Sequence, residues 1–213
     1  MVKVVVLDVD GTLMDTNYLH TEAWAWAFER VGHRVPRVKL HKQVGKGAGL
    51  LIREFVDDEE TVEKIRDLHS EYYEGLQEYG HPLPGAKELI FSLKERGYEV
   101  WLVTSAEDEE LEHHMQELEA EDSVAGVVNS SAVENPKPAP DIFEEALRRA
   151  GATAEETVAV GDAVWDVEAA REAGIRTVAV LSGGAYHKEA LEEAGAEAVY
   201  DDCAALLESD FPE

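Results

Sequence analysis

The run Val4-Val5-Val6-Leu7, ending in Asp8-Val9-Asp10-Gly11-Thr12, constrains this chain more than any other stretch. Consecutive aliphatic residues, apolar on both faces, read as a strand buried inside a parallel sheet. Ligands of such sheets bind outside the carboxyl ends of the strands, where this run meets its aspartates. Side chains alternate along an extended chain, so Asp8 and Asp10 are expected on the same side. Two carboxylates held at one crevice resist joint ionisation unless a cation lies between them or one keeps its proton.

The periodicity that follows divides the chain. Thr16 or Asn17 is placed to cap a helix carrying Leu19, Ala23, Trp26, Ala27 and Arg30 and ending near Gly32. A helix over 50–55 and a longer one from about Asp58 to Tyr79, with Val62, Ile65, Leu68, Tyr72 and Leu76 on one face, complete an all-helical block. His81-Pro82-Leu83-Pro84-Gly85 closes it. From there helices and short apolar runs alternate to the end of the chain, the helices stopping at Gly97, Gly151 and Gly174. The pattern predicts an α/β fold: a doubly wound, mainly parallel sheet formed by 1–14 and 85–213, with a small all-helical domain, 15–84, inserted after the first strand.

Three further predicted strand ends or loops carry chemistry. Thr104-Ser105 puts two hydroxyls where a strand meets a loop, a placement suited to phosphate oxygens. Pro136-Lys137-Pro138 holds one lysine in a proline-bounded turn that limits where it can point. Gly161-Asp162 leaves a strand, and Asp166 follows one helical turn later on the same face, where the two acids repel unless a hard cation lies near.

Taken together, Asp8-Val9-Asp10-Gly11-Thr12, Thr104, Lys137 and Gly161-Asp162 with Asp166 resemble, in order, the motifs of the haloacid dehalogenase superfamily, in its branch with a helical cap after the first strand. The resemblance spans the whole chain and implies a phosphatase of the phosphoglycolate phosphatase and beta-phosphoglucomutase-like branch. It implies that Asp8 is the nucleophile and Asp10 the general acid and base. One Mg²⁺ would be held by the Asp8 carboxylate, the Asp10 backbone carbonyl and Asp162, with Asp166 as ligand or support. Thr104, the Ser105 amide and Lys137 would bind the phosphoryl oxygens of a small phosphorylated metabolite. Dehalogenases that attack carbon lack the second aspartate, so Asp10 points to phosphoryl transfer. Asp15, His20 and Trp24 resemble positions of the sugar phosphomutases, which pair their histidine with a lysine of the long cap helix. Here that neighbourhood reads Glu71-Tyr72-Tyr73-Glu74, which favours hydrolysis. A receiver-like module also combines acids, a hydroxyl, a lysine and Mg²⁺, but such modules are shorter and have no cap; an inactive phosphate-binding module is the other alternative.

Charge sets the remaining expectations. Against 19 Lys and Arg stand 46 Asp and Glu, a formal net of −27, which makes nonspecific binding to nucleic acid unfavourable. No apolar run reaches the length of a membrane span, and the chain opens directly on its first strand, so a cytoplasmic protein without a signal peptide is expected. Cys203, the only cysteine, excludes an internal disulfide or a cysteine-based zinc site. Residues 30–53 contain no acid, but carry Arg30, Arg34, Arg37, Lys39, Lys42, Lys46 and Arg53. Lys46, between two glycines, and Arg53 are the candidates there for substrate contact, with His20. A net charge this large suits a high-salt cytoplasm, because added salt shortens the Debye length from about 10 Å at 0.1 M to about 3 Å at 1 M. The melting temperature should therefore climb as KCl is raised from low to molar concentration. A flat profile would refute that reading.

Overall fold

The structure, a computed structural model, describes residues 1–106 and 108–212. Strand β1 (Val4–Asp8) is buried along its full length. It lies between β2 (Glu99–Val103) and β4 (Thr157–Gly161), and the sheet extends outward through β3 (Gly126–Val128) on one side and β5 (Arg176–Val180) and β6 (Ala198–Tyr200) on the other. Every neighbouring pair is parallel, and the order is β3-β2-β1-β4-β5-β6. The strand order reverses at β1, so the crevice of this doubly wound sheet opens beside Asp8.

Alternation along β1 builds the two faces. Val5 and Leu7 pack with Leu89, Ile90 and Leu93 of α5 (Ala86–Glu95) and Leu206 of α10 (Cys203–Leu207). Val4 and Val6 pack on the opposite face with Ile142, Phe143 and Ala146 of α7 (Asp141–Ala150) and Ala169 and Ala170 of α8 (Val164–Glu172). Helices α6 (Asp108–Leu118) and α9 (Lys188–Ala194) complete the alternation. The α/β, doubly wound architecture expected from the sequence is the one observed.

Between β1 and α5 the chain forms α1 (Asn17–Arg30), α2 (Arg37–His41), α3 (Ala48–Arg53) and α4 (Glu59–Glu74). These helices have a cluster of their own, in which Trp24, Phe28, Leu40, Leu51, Ile52, Val62 and Ile65 are buried. Asp58 caps α4 by accepting from the Thr61 amide at 2.9 Å. Two expectations change. The long helix ends at Glu74 rather than Tyr79, because Gly75 weakens it by about 1 kcal/mol relative to alanine; a single 3₁₀ turn, Gln77–Tyr79, follows. The N-terminus of α1 has no side-chain cap: the Thr16 hydroxyl donates to Asp10 at 2.6 Å instead, and the Asn17 amide to Asp162 at 3.0 Å.

The insertion's cluster gives a stability prediction. Phe28 is fully buried and meets Phe55 edge-on, with ring centroids 5.6 Å apart. Phe28→Ala should cost about 3–5 kcal/mol through lost burial and the cavity left behind, read as a fall in the urea midpoint. A midpoint unchanged within error would mean that this cluster does not contribute to the cooperative fold.

Candidate active site

The side chains singled out in the sequence meet at the carboxyl end of the sheet. Asp8 ends β1, Asp162 follows β4, and Asp166 lies in the first turn of α8. Carboxylate oxygens of the three lie within 4.8 Å of one another, and all three residues are buried. Lys137, only 1% exposed, donates to Asp8 Oδ1 at 2.6 Å and to Asp166 Oδ1 at 2.7 Å. The Thr12 hydroxyl lies 3.1 Å from Asp8 Oδ2 and 3.3 Å from Asp162 Oδ1. Room for this crowd comes from missing side chains: a Cβ on Gly183 would stand 1.7 Å from Asp162 Oδ2.

Burial and the neighbouring Asp166, only partly offset by Lys137, push the Asp8 carboxyl up to about 7. Burial, Asp166 and Asp8 likewise raise Asp162 well above the usual carboxylate range. Burial opposes the charge on Lys137, but Asp166 and Asp8 outweigh it and hold the ammonium protonated. Ionising all three carboxylates against one ammonium would leave two negative charges uncompensated. The oxygen-only donor set and that deficit fit a hard divalent cation.

Asp10 stands in different surroundings. It accepts from the Thr16 hydroxyl at 2.6 Å and from the Thr104 hydroxyl at 3.1 Å, and His20 Nε2 lies 3.5 Å from its Oδ1. Burial alone would raise its pKa, but the His20 hydrogen bond and the charges of His114 and His20 hold the carboxyl far below the usual range. His20 in turn lies 3.0 Å from Glu110 Oε1 and stacks on Tyr73 at 3.9 Å between centroids. Although burial opposes its charge, Glu110 and Asp10 raise the imidazole to about 10. Burial and that nearby cation keep His69 neutral, so its Nε2 can accept from His20 Nδ1 at 3.4 Å.

A cavity of about 300 Å³ opens over Asp10. Its core side includes Ser105 and Glu110, and the helices of the insertion add His20, Trp24, Arg66, His69 and Tyr73. Lys46 lines it too, held by Glu54 at 2.6 Å and 4.7 Å above the Trp165 ring. Arg53 does not: it is half-exposed and paired with Glu59. The Ser105 hydroxyl donates to the Gly45 carbonyl at 3.0 Å, a link between β2 and the insertion. Asn17, Glu110, His69 and Tyr73 were not identified as site residues from the sequence. Asn17 resembled an ordinary cap, and Glu110 one acid among many on an exposed-looking helix.

Comparison with known proteins agrees with this geometry. The profile of the haloacid dehalogenase-like hydrolases matches residues 2–174. The chain belongs to that family. A solved hydrolase from Pseudomonas syringae superposes with a TM-score of 0.90 at 33% identity, covering 96% of each chain. Among characterised relatives, the phosphoglycolate phosphatase of Aliivibrio fischeri is 27% identical over 97% of this chain and 95% of its own length. The phosphorylated carbohydrates phosphatase of Thermotoga maritima is 29% identical over 92% and 93%. In this hydrolase no helix among the described residues is long and apolar enough to cross a membrane.

Proposed function

We propose that the protein is a Mg²⁺-dependent phosphatase that cleaves a small phosphate monoester through an aspartyl-phosphate on Asp8. The observation that carries this reading is the opposed environment of two neighbouring carboxylates: Asp8 beside Lys137 and two further aspartates, Asp10 beside His20 and two hydroxyls. A cation held by the aspartates around Asp8 would keep that carboxylate ionised for attack, whereas the Asp10 side chain, beside His20, is placed to move a proton. The relatives named for phosphoglycolate and phosphorylated carbohydrates support the substrate class.

Asp8, Asp162 and the Asp10 carbonyl would hold the Mg²⁺, with Asp166 as ligand or support, and the ion would supply positive charge that keeps Asp8 ionised and screens the phosphoryl oxygens. The Asp8 carboxylate attacks phosphorus, forming an oxygen–phosphorus bond as the bond to the leaving alcohol breaks. Lys137 lies against Asp8, where it meets the incoming phosphoryl group and spreads its charge. Asp10 delivers a proton to the leaving oxygen. In the resting arrangement that proton is held at His20 Nε2, 3.5 Å from Asp10 Oδ1, and it passes to Asp10 as charge develops on the alcohol. Asp10 then takes a proton from the water that breaks the aspartyl-phosphate, releasing phosphate and restoring Asp8. The helices over 15–84 act as the lid that excludes other water.

The residues of α4 that face His20 are His69 and Tyr73, with no lysine, which supports hydrolysis over the mutase alternative. A metal-loaded screen of phosphate esters should find steady turnover. Asp8→Asn should lower it by at least a thousandfold with the circular dichroism unchanged, and excess chelator should abolish it reversibly. Undiminished activity in that variant would sink the mechanism, and turnover of one equivalent only would restore the receiver-like alternative.

Lys46 lines the cavity whereas Lys39 is exposed on α2. Lys46→Ala should therefore raise KM for the best ester in the screen by more than Lys39→Ala does, while a small aryl phosphate is cleaved nearly as before. Equal effects would remove Lys46 from substrate recognition.

A further inference from the structure

Beside the oxygen-only cluster lies a second convergence of metal-ligand atoms of different chemistry. Asp10, His20 and Glu110 each present one ligand atom, all within 4.8 Å of one another. His20 Nε2 is 3.5 Å from Asp10 Oδ1 and 3.0 Å from Glu110 Oε1. One helical turn beyond Glu110 on α6, His114 brings its Nε2 to 3.8 Å from that same Glu110 oxygen. His114 is 1% exposed, and neither of its ring nitrogens has a hydrogen-bond partner among the described residues. A buried imidazole left without partners is costly, and this one lies at the edge of the three-residue convergence, against Glu110.

We propose that Asp10, His20 and Glu110, with the adjacent His114 moving in as a fourth ligand, form a regulatory site for a transition-metal dication of the Zn²⁺ type, distinct from the Mg²⁺ position at Asp8 and Asp162. Zn²⁺ bonds of about 2.0–2.1 Å in a tetrahedron place ligand atoms about 3.3 Å apart. His20 Nε2 stands 3.0 Å from Glu110 and 3.5 Å from Asp10, either side of that value, and His114 Nε2, 3.8 Å from Glu110, would complete the set by closing in. Two imidazoles and two carboxylates suit Zn²⁺, whereas three carboxylates suit Mg²⁺, so the two sites sort cations by donor type. Binding displaces the proton now on His20 Nε2 into solvent, leaving Nδ1–H to donate to His69 Nε2, 3.4 Å away. That outer hydrogen bond orients a metal-bound imidazole. On the reading of Asp10 as the acid and base, the ion takes over the carboxylate that catalysis needs and inhibits turnover; binding itself does not depend on that reading.

The test is titration calorimetry of the metal-stripped protein with Zn²⁺ in saturating Mg²⁺, together with the visible spectrum of Co²⁺ bound in its place. One Zn²⁺ should bind despite the Mg²⁺, and Co²⁺ should show the intense bands of tetrahedral coordination. Glu110→Gln, which keeps the side chain's shape, and His114→Gln should each weaken Zn²⁺ at least as much as the roughly 10–100-fold that loss of an outer-shell partner costs. Asp162→Asn should leave Zn²⁺ affinity within twofold. Absence of Zn²⁺ binding, or affinity that survives both α6 substitutions, or binding lost in Asp162→Asn, overturns the proposal; so does a weak octahedral Co²⁺ spectrum in the unaltered protein, which needs no variant to fold. In active protein, Zn²⁺ inhibition should weaken in parallel with binding in Glu110→Gln. If phosphatase turnover were absent altogether, the calorimetric result would still stand or fall alone.

Discussion

Three buried carboxylates around one buried ammonium, at the end of the central strand, are the constraint on which the rest of the structure depends. Each comes from a different piece of chain: Asp8 from β1, Asp162 after β4, Asp166 from α8 and Lys137 from the proline-bounded turn. Desolvating such charges costs several kcal/mol per ion, and removing a single partner from a buried pair costs about 3–5 kcal/mol. The arrangement is tolerable only if the backbone delivers all four groups to one point. A parallel sheet with β1 between β2 and β4 does so, because every strand end faces the same crevice. The space is found by omitting side chains: a Cβ on Gly161 would lie 2.4 Å from the Asp166 Cβ, and one on Gly183 would collide with Asp162.

What the sequence made legible follows from how local each signal is. An unbroken aliphatic run fixes a buried strand, and the motifs at strand ends are readable because a parallel sheet gathers its strand ends without further information. Glycine after an amphipathic helix marks its stop for the same local reason. Thr16 reads as a cap because a hydroxyl at a helix start normally serves its own backbone; in the fold Asp10, six residues earlier, is the stronger acceptor. Glu110 and His114, four residues apart, are an ordinary surface spacing on α6. Only tertiary packing turns that face toward Asp10 and His20, and no periodicity carries that. His69 and Tyr73 lie on α4, where the sugar phosphomutases carry a lysine, but their aromatic stacking on His20 depends on the approach of α1 to α4.

The basic stretch shows how composition can mislead about chemistry. Read as a charge run, 30–53 looks like a positive patch on an acidic protein. In the fold, Arg37 holds Glu22 at 2.6 Å, Arg53 pairs with Glu59, and Arg30 lies over the Trp26 ring at 5.0 Å. Exposed pairs of this kind are screened by water, add little to stability and leave little free field. Lys137, by contrast, is desolvated, so its ammonium interacts far more strongly with its neighbours than a surface lysine could.

Lys46 owes its place in the cavity to the segment that carries it. His41 Nε2 lies 2.9 Å from the Gly183 carbonyl, and the Lys42 carbonyl accepts from Trp165 at 3.1 Å and from Tyr186 at 2.6 Å. Gly45 and Gly47 then touch Ser105 and the Lys137 backbone. Gly47 admits no side chain, since a Cβ there would meet Pro136 at 2.3 Å. The segment that presents Lys46 is thus bonded to the turn that presents Lys137. Displacing one perturbs the backbone of the other, so the position of Lys46 over the cavity and that of Lys137 among the aspartates are mechanically one adjustment.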